Sequence, residues 1–439
     1  MHQRSRTKWQ QRLLAPVIVT TAMLMTLPAC AQAEEDSVAA WVQREAKRLN
    51  TTDAAAPLND FMPLRDSARD VTIAGLGESV HGAAEELTLK HRALRFLVEE
   101  MGFRSIAWEE DWTAGVPVND YISGGPGDLD ALVRGMSGQW QTREVKDVLR
   151  WLRQFNAGQA HKVQFVGVEY FFTWTPVYDA VRDYVARNAP GQLTELNADL
   201  EKIRPVKSDI YQHIEWLTNE VRDKPRYVNH ARQVHELLGK LPHRAGDRAY
   251  ELALHNARQI LSFYEHFNMS PDDALVYRDA RAADNVKWWQ GLTGDKIVYW
   301  AASPHIVNAA QLRIATAQGD MRFPSAGSYL RKWYGRQYLS VGFTFDHGTA
   351  SLGEGKTAAM SPPKPEWFEQ PFSAVRADQF ILDLRAKASS TVQKWLNTPS
   401  KTRGLPHAGP DSYVDGGSPG QWFDVVIHRQ QINAAQPAT

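Results

Sequence analysis

The sequence predicts an α/β fold, a mostly parallel sheet flanked by helices, with a helical insertion or subdomain. Three observations predict it. Short, near-continuous apolar runs rich in β-branched and aromatic residues recur along the chain, as in strands covered on both faces. Amphipathic stretches long enough to be crossover helices separate the first of these runs. One long stretch, residues 190–292, is charged and helix-periodic, with no strand signal.

The chain has 439 residues, enough for two or three domains or one large domain with insertions. Its beginning differs in kind from the rest. Arg4, Arg6, Lys8 and Arg12 precede an uncharged apolar run from Leu13 to Leu27, and "LPACAQAEED" follows, the order of a secretory signal. Cys30 is the only cysteine, so no intramolecular disulfide can explain it. "LPAC" resembles the bacterial lipobox, in which Cys30 becomes the lipidated mature N-terminus. Ala29-Cys30-Ala31 and Ala31-Gln32-Ala33 also fit an ordinary cleavage site, which would leave a soluble exported protein. The expectation is an exported, periplasmic protein, anchored to the membrane only through this lipid.

Charge bounds the partners. Lys+Arg and Asp+Glu are both 50, and removing residues 1–29 takes away four basic residues and no acidic one, leaving 46 against 50. Nothing in this balance suits nucleic acid or a basic patch for a membrane surface. No later stretch has the length of uncharged apolar sequence that a membrane span needs.

The first strand is "VTIAGLG" (71–77), followed by "EELTLKHRALRFLVEEMGF", where Leu87, Lys90, Leu94, Leu97, Val98 and Met101 keep helical spacing and Gly102 is the stop. "SIAWEED" (105–111) is the second strand, completing a βαβ unit that predicts parallel pairing along the same edge. "TREVKDVLRWLRQFNAG" is the next helix and "VQFVGVEYF" (163–171) the third strand. After the helical stretch come "KIVYWAASPH" (296–305) and "YLSVGFTFDHG" (338–348), then "FILDLR" (380–385) and "WFDVVIHR" (422–429) as a closing pair. Residues 359–371 and 404–420, rich in Pro and Gly, read as loops. The expected organisation is a signal peptide over 1–29, a linker or helix over 30–56, the first part of the core over 57–189, the helical subdomain over 190–292, and the rest of the core over 293–439.

Parallel strands share a direction, so residues at their C-terminal ends meet along one edge of the sheet. That edge would collect Glu78 and His81, then Glu109, Glu110 and Asp111, then Glu169, His305, and finally Asp346 and His347. A histidine flanked by carboxylates has its tautomer chosen and its imidazolium stabilised, which suits proton removal from water and return of the proton to a leaving group. The same residue types also suit a divalent metal, although no His-Glu-x-x-His is present, so a metal-dependent hydrolase stays open beside a cofactor-free one. Ser79 is no nucleophile of the elbow type, because "GESVHG" lacks Gly-x-Ser-x-Gly. Trp112 and Trp140 fall near the same edge and would wall a large apolar substrate.

The stretch "PLRDSARDVTIAGLGESVHGAAEELTLKHRALRFLVEEMGFRSIAWEED" resembles the opening of the erythromycin esterase family, with its Gly-Leu-Gly-Glu-x-x-His-Gly turn. "WQTREVKDVLRWLRQFN", "VGVEYF", "YRDARAADNVKWW", "YWAASPHIV" and "GSYLRKWYGRQYLSVGFTF" follow in the family's order, so the resemblance spans about residues 57–346. It implies a small-molecule ester or lactone as partner, the opening of a macrolide's lactone ester without a covalent intermediate, and hence antibiotic resistance. It also implies His81 as general base, Glu78, Glu109 and His305 as catalytic partners, and Arg278 and Lys90 as substrate-binding groups. This chain departs at "WAASPH", where Ala302 and Ser303 replace the His and Asn of the family's Trp-Ala-His-Asn-x-His. Either His305 alone carries that role or the substrate differs. A ligand-binding homologue without catalysis is the reading at the far end of that departure.

Overall fold

The computed structural model describes residues 37–409 and 411–438, so the signal segment and Cys30 lie outside the described residues. In chain order the strands are β1 (Lys47–Arg48), β2 (Ile73–Glu78), β3 (Ser105–Asp111), β4 (Gln164–Glu169), β5 (Ile297–Ala302), β6 (Leu312–Ala315), β7 (Met321–Phe323), β8 (Tyr338–Gly353), β9 (Lys356–Met360), β10 (Gln379–Asp383), β11 (Thr402–Arg403), β12 (Tyr413–Asp415) and β13 (Val425–Ile432). Nine of them form one sheet in the order β1-β10-β13-β8-β2-β5-β3-β4, with β9 paired to β8. From β13 through β8, β2, β5 and β3 to β4 every pairing is parallel, while β1 and β10 close that side antiparallel.

Both faces of this sheet are covered, which is why its strands read as unbroken apolar runs. Ala74, Leu76, Ile106, Trp108, Val298 and Trp300 pack on one side with the helices α1 (Ala84–Met101) and, beyond Trp112–Ile122 (α2), α3 (Arg143–Ala157). Ile73, Ala107, Val166, Ile297 and Tyr299 alternate to the other side. There they meet α4 (Thr175–Asn188) and the run α5 (Leu193–Ile203), α6 (Ile210–Asn219), α7 (Lys224–Lys240), α8 (Arg248–Phe267) and α9 (Pro271–Thr293). Gly102, at φ 75°, ends α1 in the left-handed conformation that glycine adopts without strain.

Two expectations need correction. β2 and β3 are not neighbours, because β5 pairs with both and separates them. The first βαβ unit therefore skips a strand position that the chain fills only after α9. Residues 404–420 are not all loop either, since β12 lies in them and joins β11, β6 and β7 in a second, four-stranded sheet. Its strands have two to four residues, too short for a periodic signal, and the ion pair of Arg313 with Asp415 helps to hold it. Among the described residues no helix is long and apolar enough to cross a membrane.

Candidate active site

The end of β2 is shaped by close approach. The short helix α10 (Ser303–Ile306), which continues directly from β5, lies across β2 at Gly75 and Gly77. A Cβ on Gly77 would stand 2.4 Å from Cγ1 of Ile306 and 2.8 Å from Cα of Ser303. The Ser303 hydroxyl donates to the Gly77 carbonyl at 2.8 Å and locks the crossing. The two glycines of "AGLGE" thus let α10 carry His305 to the C-terminal end of β2. The turn beyond is tied from α1, where Glu86 accepts from the Ser79 hydroxyl at 2.7 Å and from Val80 N at 3.1 Å.

Two linked clusters occupy the sheet edge. In the first, fully buried Glu78 takes His81 Nδ1 at 2.8 Å on one oxygen and the Lys90 ammonium on the other. Lys90 also donates to the Ala301 carbonyl at 3.2 Å and lies 4.1 Å over the Trp300 ring. His81 is 35% exposed at its side chain, and its Nε2 has no partner among the described residues. In the second, Glu109 accepts from Arg278 at 2.8 Å and from Ala302 N at 2.8 Å, and is ion-paired with His305 Nε2 at 3.2 Å. Arg278 also pairs with Glu169 at 2.9 Å, and His305 Nδ1 stands 2.9 Å from Asp279. Adjacent backbone groups of β5, the Ala301 carbonyl and Ala302 N, connect the clusters. Trp140 bridges them from the side, donating to the Glu109 carbonyl at 2.7 Å with its ring edge-on to His81 at 4.9 Å.

Charge follows from these contacts. Burial would raise the Glu78 carboxyl, but Lys90 and His81 overcome it and hold it below the ordinary carboxylate range. An ionised Glu78 can only accept, so His81 carries its proton on Nδ1 and exposes the Nε2 lone pair when neutral. Burial disfavours an imidazolium at His305, yet Asp279 and Glu109 prevail and raise it to about 10. Both of its nitrogens face carboxylates, so both donate. Glu109 is held well below the usual range against burial by His305, His81 and Arg278. Burial, with Glu109 close by, pushes Glu169 up against the pull of Arg278.

A cleft of about 270 Å³ opens on Glu109, Glu169 and Arg278, with Phe171, Phe172 and Tyr211 on its wall. The other acids of the second strand, past a register irregularity between Trp108 and Asp111, line the same cleft but are engaged by the protein itself. Glu110 accepts from Ser137 N at 2.7 Å and from its hydroxyl at 2.8 Å, and burial raises it to about 7. Asp111 caps α2 through Thr113 N at 2.8 Å and takes Phe172 N at 2.7 Å. Asp346 and His347 stand apart from the site: β8 runs on to Gly353, and the two pair with each other at 2.8 Å beside β13. Trp112 is also elsewhere, because β3 ends one residue before it and α2 turns it toward α8 and α9. There it donates to Asn256 at 2.8 Å among His255, Trp288 and Trp289. Two members were not singled out from the sequence. Asp279 is in sequence an ordinary acid beside Arg278, and Glu86 part of an amphipathic stretch; a buried, charge-paired role leaves no periodic trace.

The carboxylates that converge here are neutralised by Lys90, Arg278 and His305, and His305 has neither nitrogen free. Among the described residues no three His, Cys, Asp or Glu side chains are grouped as metal ligands. What the arrangement offers is one accessible imidazole nitrogen, aligned by an ion pair, and two cations at the same sheet edge, the buried His305 and the partly exposed Arg278.

A family model described as Erythromycin esterase matches residues 98–432, a span that includes Glu109, Arg278 and His305 and begins after the Glu78–His81 turn. The chain is 26% identical over 327 residues to the erythromycin esterase type II of Escherichia coli, covering 69% of this chain and 74% of that protein. It is 20% identical over 418 residues to the putative hydrolase YbfO of Bacillus subtilis, covering 88% and 91%. A Bacillus cereus protein of known crystal structure superposes with a TM-score of 0.80 at 28% identity, over 91% of this chain and 98% of the other. A mutant of the erythromycin esterase EreC in its open conformation superposes at 0.70 with 16% identity, over 90% and 99%, a likeness of fold.

Proposed function

Since the chain belongs to the erythromycin esterase family, whose members here point to hydrolysis of esters, we propose that it cleaves a carboxylic ester or lactone with His81 as general base and no covalent intermediate. The observation that carries this reading is the buried Glu78, held between Lys90 and His81 Nδ1, which leaves Nε2 of an accessible ring free. Nε2 takes a proton from water as the oxygen attacks the carbonyl carbon. Arg278, whose side chain is 25% exposed at the cleft, and the His305 imidazolium behind Glu109 favour the negative charge that gathers on the carbonyl oxygen. The imidazolium of His81 then returns its proton to the leaving alkoxide, so that one water is consumed and an acid and an alcohol result. Glu109 and Asp279 keep the two cations in position.

The substrate is a small molecule, and a macrolide-like lactone is the first class to assay. At the departure from the family pattern Ala302 contributes only its backbone N–H, to Glu109, and the Ser303 hydroxyl is spent on Gly77. His305 therefore serves alone here. We place the working protein outside the cytoplasm, lipid-anchored through Cys30, on the strength of its N-terminal sequence. Purified mature protein incubated with macrolides and simple lactones should yield products heavier by one water in mass spectrometry. His81→Ala should abolish this turnover while leaving the fold intact, and full activity in that variant would overturn the mechanism.

A further inference from the structure

Almost every carboxylate oxygen at this end of the sheet is spoken for. Both oxygens of Glu78, of Glu109, of Glu110 and of Asp111 accept hydrogen bonds from the protein. Glu169 differs: its Oε1 receives both Nε of Arg278 at 3.0 Å and the terminal nitrogen at 2.9 Å, while its Oε2 is buried without a partner among the described residues. Glu169 is 4% exposed and lines the cleft. An acceptor buried without a donor is destabilising, so a donor from outside the protein is called for.

The surroundings say what carries that donor. Phe171, two residues on, lies 5.2 Å beneath the Arg278 guanidinium, and Phe172 meets Tyr211 at 5.3 Å. Tyr211 is 65% exposed, an unusual position for a large aromatic side chain, and it faces the strand ends from α6. Apolar faces beside a single unpaired acceptor match a ring that is hydrophobic on its flat side and polar at its rim. Arg278 already neutralises Glu169, so a neutral donor suits this place better than a second cation.

We propose that Glu169 Oε2 and the aromatic shelf of Phe171, Phe172 and Tyr211 form a subsite for a hydroxyl-bearing ring attached to the ester, making Glu169 a specificity-determining residue. The proposal rests on the esterase reading for its substrate, though not for its geometry. Hydroxycyclohexyl acetate, cyclohexyl acetate and ethyl acetate provide the test. The protein should favour the hydroxylated ring over the plain ring by about tenfold in kcat/KM, as a hydrogen bond to a charged acceptor warrants. Glu169→Gln, which still accepts from Arg278 but replaces the charged acceptor by a neutral amide whose N–H can only donate weakly to the hydroxyl oxygen, should cut that preference several-fold. Tyr211→Ala, at an exposed position, should lower turnover of both ring esters several-fold more than that of ethyl acetate.

Equal handling of the two ring esters by the unmodified protein would mean that only water fills the place, and would overturn the proposal. So would a preference that survives undiminished in Glu169→Gln, or a stronger preference for aminocyclohexyl acetate. If no ester is turned over, the esterase reading fails on its own. Quenching of tryptophan fluorescence by cyclohexanediol against cyclohexanol then decides the subsite, with equal quenching counting against it.

Discussion

Replacing Glu78 by Gln should expose the two roles of one carboxylate, and the structure allows them to be separated. In Glu78→Gln the Lys90 ammonium stays fully buried without its counter-charge, left with the Ala301 carbonyl at 3.2 Å, the Trp300 face at 4.1 Å and at best a neutral amide oxygen. Breaking one side of a buried ion pair costs about 3–5 kcal/mol, because a charge is left uncompensated. The same change removes the counter-charge for the imidazolium that His81 becomes during the reaction, and an amide at position 78 can select the wrong tautomer. A loss on the order of a thousandfold in kcat is expected, about 4 kcal/mol of transition-state stabilisation. Adding Lys90→Met removes the stranded charge and puts a flexible apolar chain of similar shape against Trp300. The double variant should recover most of the lost stability and none of the lost activity. Urea unfolding followed by tryptophan fluorescence and ester hydrolysis at saturating substrate measure the two quantities. A folded Glu78→Gln protein within a few-fold of the unmodified kcat would refute the role given to Glu78. A double variant no more stable than the single one would refute the account of Lys90.

Asp279→Asn should show the pH dependence of the His305 ion pairs. The folded pKa of His305, about 10, lies above the ordinary 6.5, so the stability it contributes is complete below about pH 6.5 and is lost as pH rises toward 10. The stability deficit of the variant should therefore be largest near pH 6 and shrink by pH 10, and a deficit independent of pH would exclude the ion pair as its cause. Gly77→Ala places a methyl group against Ile306 and the Ser303 backbone, so α10 must shift and His305 with it. Loss of about 1–3 kcal/mol in unfolding and a fall in kcat larger than any change in KM are expected, whereas unchanged kcat would show that the helix position is not needed.

The sequence by itself determined the layered α/β class, because strands buried on both faces and helices with one buried face each carry a local period. It also placed Glu78, His81, Glu109 and His305 at strand ends, which a shared strand direction brings to one edge. Strand order was beyond it: β5 enters between β2 and β3 only because the chain returns after β4 and the six helices α4 to α9, and no local pattern records where a returning strand inserts. The same holds for Asp279, Glu86 and the free oxygen of Glu169. Each is an ordinary acid in sequence, and its role is assigned by what burial in the finished fold brings against it: an imidazolium for Asp279, a turn for Glu86, and an open cleft for Glu169.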